Sequence, residues 1–295
     1  MAFDLHLNWR GPLASCNYDC PYCPFAKHVS SRAELEADEA ALERFVAWCA
    51  GQAHRRLSIL FTPWGEALIR PHYHRAMVAL ARLDHVVAVA AQTNLAWRQG
   101  WLDALAELPA PRRASFQLWT TYHPGEVELD RFLERCAGLD ARGLRYSVGV
   151  VGLREHFDAI DALRERLAPG VYLWINAYKS GGPGYYQAGE RERLAAIDPL
   201  FEINAVRHPS RGQACAAGST ALFVTGEGEL RRCHFVDAVL GNLYADDLDA
   251  LLTPSSTACP TARCGCFIGY VHLDSLGLRQ CFGDGLAGRS LLVRG

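Results

Sequence analysis

Cys16, Cys20 and Cys23 stand in the segment SCNYDCPYCP, a C-x3-C-x2-C spacing. Spacing of i, i+4 and i+7 also marks the buried face of a helix. Pro12, Pro21 and Pro24 oppose a continuous helix here, so a loop wrapped on a metal is the better account. A structural zinc wants four ligands, commonly as separated C-x2-C pairs. Three thiolates on one short loop can hold three irons of a cubane cluster. The fourth iron is then open to bind a ligand and do chemistry on it.

A second group of cysteines lies in the last third of the chain: Cys215, Cys233, Cys259, Cys264, Cys266 and Cys281. Cys215 and Gly218 followed by Gly228 and Cys233 make a C-x2-G-x9-G-x4-C pattern. TALFVTGEGELRRCHF reads as a β-hairpin with Gly226 and Gly228 at its turn, which returns Cys233 beside Cys215. The run CPTARCGC adds Cys259, Cys264 and Cys266 from a loop. A structural zinc ribbon is the alternative use of such a set. Cys49 and Cys136 fall in helix-like stretches and read as small core residues.

The elements that must position these groups alternate. Strand-like runs occur at Leu5–Trp9, Leu57–Phe61, His85–Thr93, Ser115–His123, Tyr146–Gly152 and Val171–Tyr178, with helix-like stretches between them. Ser30 or Ser31 can cap the first helix. Nearly continuous apolar strands alternating with helices predict an α/β fold with a parallel sheet and right-handed crossovers, doubly wound or curled into a barrel. Ligands then belong at the carboxyl ends of the strands. After Tyr178 the pattern changes to Gly- and Cys-rich sequence. The expected division is a barrel over 1–185 and a small Cys-rich module with the C-terminal segment over 186–295.

The chain has 295 residues with 50% hydrophobic and 21% charged, which is globular composition. A formal net charge of -2 offers no general attraction to nucleic acid or anionic lipid. No apolar run reaches the ~18 residues of a membrane helix, and MAFDLHLNWRGP is not a secretory signal. An odd count of 11 cysteines without an export signal fits a disulfide scaffold poorly. The expectation is a cytoplasmic protein with no nucleic-acid or membrane partner.

The three-cysteine loop after the first strand resembles the radical S-adenosylmethionine (SAM) superfamily. The resemblance implies a partial (β/α)6 barrel of TIM type over about Leu5 to Tyr178. It implies a 4Fe-4S cluster on Cys16, Cys20 and Cys23, with SAM chelating the fourth iron and Tyr22 against the adenine region. Electron transfer would cleave SAM to a 5′-deoxyadenosyl radical that takes hydrogen from a substrate. Further matches follow in order. PWGEA (Pro63–Ala67) resembles the GGE motif with Trp64 in place of the first glycine, so that Gly65 and Glu66 would serve the SAM amino group. QTN supplies Asn94. VGVVGLRE (Val148–Glu155) resembles the GxIxGxxE adenine motif through Val150, Gly152 and Glu155, with Val148 in place of its first glycine. WINAYK supplies Asn176 and Lys179. His123 and Tyr122 would face the substrate side of the mouth, and with Lys179 they are the candidate catalytic groups.

The distal cysteines resemble the opening of the SPASM and twitch extensions of that superfamily, although the later spacing departs from SPASM. The resemblance implies one auxiliary 4Fe-4S cluster on Cys215, Cys233 and two of Cys259, Cys264 and Cys266. Cys281 lies off any recognisable spacing. Tyr270, His272, Asp274 and Asp284 are expected to close the barrel mouth. The resemblance points to oxidation or cross-linking of a peptide or protein side chain, with flavodoxin or ferredoxin as electron donor. A dehydrogenase of a small molecule is the second possibility. An iron–sulfur electron carrier or sensor, or a zinc-stabilised binding module, would make no radical.

Overall fold

The computed structural model describes residues 3–97, 100–252 and 257–291. Six parallel strands, β1 (Leu5–Arg10), β2 (Leu57–Phe61), β3 (Val86–Thr93), β4 (Phe116–Tyr122), β5 (Arg145–Gly152) and β6 (Leu173–Ala177), lie side by side in chain order. A doubly wound sheet reverses its strand order. An unreversed order with right-handed crossovers puts every connecting helix on one face, the arrangement of a barrel. The main connections are α1 (Arg32–Ala50), α2 (Pro71–Ala81), the short α3 (Trp101–Ala106) and α4 (Ala110–Ser115), α5 (Leu129–Asp140) and α6 (Phe157–Arg166). Ser31 caps α1 in a capping box with Glu34. Cys49 and Cys136 are buried under the helical layer.

The hairpin joins the same sheet. Its first strand, β7 (Ala221–Thr225), pairs in parallel with β1, His6 facing Ala221 and Arg10 facing Thr225. Strands β8 (Glu229–Arg231) and β9 (Val239–Asn242) continue antiparallel, giving nine strands in the order β9-β8-β7-β1-β2-β3-β4-β5-β6. Gly228, at φ +85, makes the turn. The hairpin strands within 221–242 therefore extend the sheet of the six parallel strands.

Side chains alternate between two cores. One face of the strands packs Leu7, Trp9, Ile59, Phe61, Val89, Leu118, Val148 and Ile175 under the helices. The concave face carries Leu60, Ala88, Ala90, Trp119, Trp174 and Phe223, and it is filled by Phe267, Ile268, Leu278, Phe282 and Leu286. This C-terminal segment seats at the amino ends of the strands. Gln117 at the start of β4 donates to the Asp284 carbonyl, Arg145 at the start of β5 pairs with the Asp284 carboxylate, Ser147 donates to the Gly288 carbonyl, and His272 lies beside His6. The sequence expectation that His272 and Asp284 close the mouth is thus corrected. They close the opposite end, because the segment's apolar residues need the lower concave face. No helix among the described residues is long and apolar enough to cross a membrane.

Gly149 lies under the Trp174 indole, and a Cβ there would stand 2.0 Å from Trp174 Cε2. With Trp174 itself buried, Gly149→Ala is expected to overpack the concave face and lower stability by about 1–3 kcal/mol in urea titration.

Candidate functional site

The cysteine loop leaves the carboxyl end of β1 and is tied down at both ends. The Leu13 amide donates to Asp38 of α1, a carboxylate sealed from solvent that also meets His72 and Tyr73 of α2. A β-bridge joins Ser15 to Lys27 and closes the loop, and Lys27 Nζ donates to Asp19 and to the Cys20 carbonyl. The turn after β2 lies directly against it. The amides of Gly65 and Glu66 donate to the carbonyls of Leu13 and Ser15. A Cβ on Gly65 would fall 2.0 Å from the Ser15 oxygen, so only glycine permits this approach.

Glu66 then joins two strand ends. Its Oε1 accepts from the Leu68 amide at 2.8 Å and the Thr93 hydroxyl at 2.7 Å, and its Oε2 accepts from the Asn94 amide at 2.6 Å. Burial pushes its carboxyl up to about 7, against the pull of these donors. The turn so held presents Asn94 to the cysteines. Its Nδ2 donates to Asn17 and lies 3.7 Å from Cys16 Sγ.

Cys20 is buried, whereas Cys16 and Cys23 are half-buried. Burial pushes the thiols of Cys16 and Cys20 up to about 11 and about 12, and their neighbours in the trio add to both shifts. The Tyr18 amide donates to Cys16 Sγ at 3.4 Å. From the end of β4, His123 Nδ1 lies 3.4 Å from Cys20 Sγ and 2.9 Å from the Tyr22 hydroxyl, with its ring stacked on Tyr22. Burial, aided by the nearby His156, lowers His123 to about 4. The neutral imidazole can accept the Tyr22 proton at Nδ1. Three soft thiols at the carboxyl end of a parallel sheet, with the Tyr18 amide and Asn94 Nδ2 directed at Cys16, fit an iron–sulfur cluster.

No protein-family model matches the sequence, and neither does any curated protein. Solved structures do match. Streptococcus suis SuiB bound to S-adenosylmethionine is 16% identical, covering 97% of this chain and 72% of its own at a TM-score of 0.55. Native anSMEcpe with bound AdoMet is 14% identical, covering 84% and 80% at a TM-score of 0.56. The same protein with AdoMet and a Cp18Cys peptide is 12% identical, covering 84% and 79% at 0.55. This chain shares the fold of these S-adenosylmethionine-bound proteins.

Within that fold, Tyr22, Gly65, Glu66, Asn94 and His123 gather around the cysteine loop. Asn176 occupies the concave side of β6, half-buried. Gly152 lies at the end of β5, where its carbonyl accepts from the Tyr186 hydroxyl, and that hydroxyl accepts from the Tyr178 amide. Glu155 is exposed on a 3-10 turn. Two residues face away from the mouth. Val150 is in the core under the helices. Tyr122, expected on the substrate side, packs on Phe132 of α5, because alternation puts it on the same face as Phe116 and Leu118. Lys179 Nζ donates to the carbonyl and side-chain oxygen of Asn204. Burial lowers its pKa to about 8.

Cys215, Cys233, Cys259, Cys264 and Cys266 lie within electrostatic reach of one another. Short antiparallel ladders join Cys215 to Thr257 and Cys264 to His208. Burial pushes the Cys264 thiol up to about 12, with Cys233, Cys266 and Cys215 adding to it. Cys233 rises to about 11 for the same reason, under Cys215, Cys266 and Cys259. Cys259 differs. Burial acts upward, but hydrogen bonds from Thr261 and Ser210 and the Arg232 charge hold it below its usual value. Cys281 stands exposed on a short helix. Among the described residues no three His, Cys, Asp or Glu side chains converge on a single metal ion.

Sequence reasoning missed the bridge between the two cysteine groups. The Arg10 guanidinium lies 4.1 Å over the Trp64 ring, and its Nη1 is 2.6 Å from His234 Nε2. Trp64 meets Phe25 on one side and His234 on the other. The residue that replaces the first glycine of the GGE motif thus links the first cysteine loop to the segment carrying Cys233. The aromatic type at position 64 was the available signal.

Glu66→Gln would turn the oxygen facing the Asn94 amide into a donor, and is expected to destabilise the protein by about 1–3 kcal/mol at pH 5 in thermal unfolding. Because the folded carboxyl ionises near 7 and its ordinary value is 4.5, the unfolded chain releases its proton first. Parental stability therefore falls as pH rises through that window, and the gap to the variant narrows.

Proposed function

We propose that this chain is a radical SAM enzyme with one auxiliary iron–sulfur cluster. The observation that carries the reading is the convergence of Cys16, Cys20 and Cys23 with Glu66, Asn94 and His123 at the carboxyl ends of β1 to β4, in a fold shared with SAM-bound proteins. A cluster bound by the three thiols supplies the electron for reductive cleavage of SAM. The chain's own residues do the rest. Gly65 and Glu66 shape the turn that would receive the SAM amino group, and Tyr22, stacked on His123 and edge-on to His156 at 5.4 Å, would offer a wall to adenine. A neutral His123 would add no positive charge next to a bound sulfonium.

The gathering of Cys215, Cys233, Cys259, Cys264 and Cys266 supports the auxiliary cluster, held by Cys215, Cys233 and two of the other three. Cys281, exposed and off the group, is outside it. The preferred substrate is a peptide or protein side chain, which is oxidised or cross-linked, with flavodoxin or ferredoxin as reductant. SuiB and the peptide-bound anSMEcpe share the fold, and the latter has AdoMet and a Cp18Cys peptide bound. Dehydrogenation of a small molecule is the second reading.

Anaerobic reconstitution should yield about eight irons per chain, falling to about four in the Cys16→Ala/Cys20→Ala/Cys23→Ala variant. About four irons in the parent would remove the auxiliary cluster. Under strong reductant the parent should release 5′-deoxyadenosine from SAM and the triple variant none. Lack of release by the parent overturns the enzymatic reading. Deuterated peptide pools should pass label into 5′-deoxyadenosine, and transfer from small-molecule extract alone would favour the second reading.

A further inference from the structure

Arg289 is an arginine with no exposed surface, at the inner end of the segment that plugs the barrel. Its backbone is left-handed, at φ +53, a conformation that costs an L residue and persists only where the surroundings impose it. The guanidinium lies 4.7 Å over the Trp119 ring and 5.5 Å from the Phe267 ring. Its Nη1 donates to the Leu286 carbonyl. Among the described residues its Nε and Nη2 have no partner and no carboxylate pairs with it. The acidic side chains within electrostatic reach are Tyr270 and Cys266, a phenol and a thiol.

A buried guanidinium without an anion is costly. The unused atoms are also a particular pair: Nε and Nη2 form the side edge of the guanidinium, the fork that takes the two oxygens of a carboxylate. The indole N–H groups of Trp119 and Trp174 on the same concave wall are buried and unpartnered as well, with their rings 5.3 Å apart. A single guanidinium matches one negative charge, which suits a carboxylate better than a phosphate dianion. Gln92, paired with Trp119, and Val151 and Asn176, one step toward the mouth from Gly149 and Trp174, are half-exposed, so the wall borders the chamber where the proposed chemistry takes place.

We propose that Arg289, with the indole N–H groups of Trp119 and Trp174, forms a carboxylate-binding site in the floor of the barrel chamber, and that the substrate of this chain carries a carboxylate bound there. The substrate assignment rests on the radical SAM reading, whereas the binding site does not. Because Arg289 has no exposed surface, entry requires the short helix Phe267–Tyr270 to shift.

The test uses the full chain with its clusters, prepared without oxygen, and two probes of one shape: benzoate and the neutral benzamide, titrated by calorimetry without SAM. Benzoate should bind saturably, and benzamide at least about tenfold more weakly. Arg289→Gln should bring benzoate down to the benzamide level. Arg289→Lys, which keeps the charge but not the fork, should fall between. Trp119→Phe, which keeps the packing, should weaken benzoate severalfold. Benzoate that does not saturate, or that binds no better than benzamide, overturns the site even if a variant fails to fold. Benzoate affinity unchanged in folded Arg289→Gln or Arg289→Lys does so too. Since no SAM is present, failure to release 5′-deoxyadenosine would leave these results intact, and failure to bind benzoate would leave SAM cleavage intact.

Discussion

The concave face of an open parallel sheet has to be kept from water. Six strands laid in chain order curl without closing, and their inner side chains include Leu60, Ala88, Ala90, Trp119 and Trp174. At about 25 cal/mol per Å2 of apolar surface, such a wall cannot be left wet. The chain covers the amino-terminal half with its own segment from Phe267 onward. The carboxyl-terminal half remains for a ligand. This division decides where everything else lies: the three-cysteine loop at the open end, the anchors of the plug at the closed end, and the distal cysteines on the strands and loops that carry the chain from one to the other.

At the open end the cysteine loop is held by contacts that tolerate little change. Gly65 touches the backbone before Cys16, and Glu66 joins the ends of β2 and β3 through three donors. Asp38 ties the loop entry to α1 and α2. These contacts join backbone groups and buried side chains of the protein itself, so the loop is positioned without a metal.

The two cysteine groups are mechanically joined. Because β7 pairs with β1, the hairpin that brings Cys233 back is registered against the strand that launches Cys16. Arg10, at the end of β1, reaches both Trp64 and His234, so a displacement at one group is felt at the other. A detached module on a flexible linker would have no such coupling.

Much of this was legible in the residues. The six strands lie within two residues of where apolar runs place them, because a parallel strand is buried on both faces and its composition says so. The three-cysteine loop was legible because prolines excluded the helix, and Gly228 because the turn needs a left-handed residue. The same double burial hid which way side chains point. Tyr122 and Val150 carry no local sign that they face helices and not the mouth. Pairing partners were hidden for a second reason: that β7 lies beside β1, and that Asp284 and Gly288 anchor at the starts of β4 and β5, are contacts across more than a hundred residues. Local periodicity names the elements and their chemistry, but contacts between distant segments are chosen only when the whole apolar surface is shared out.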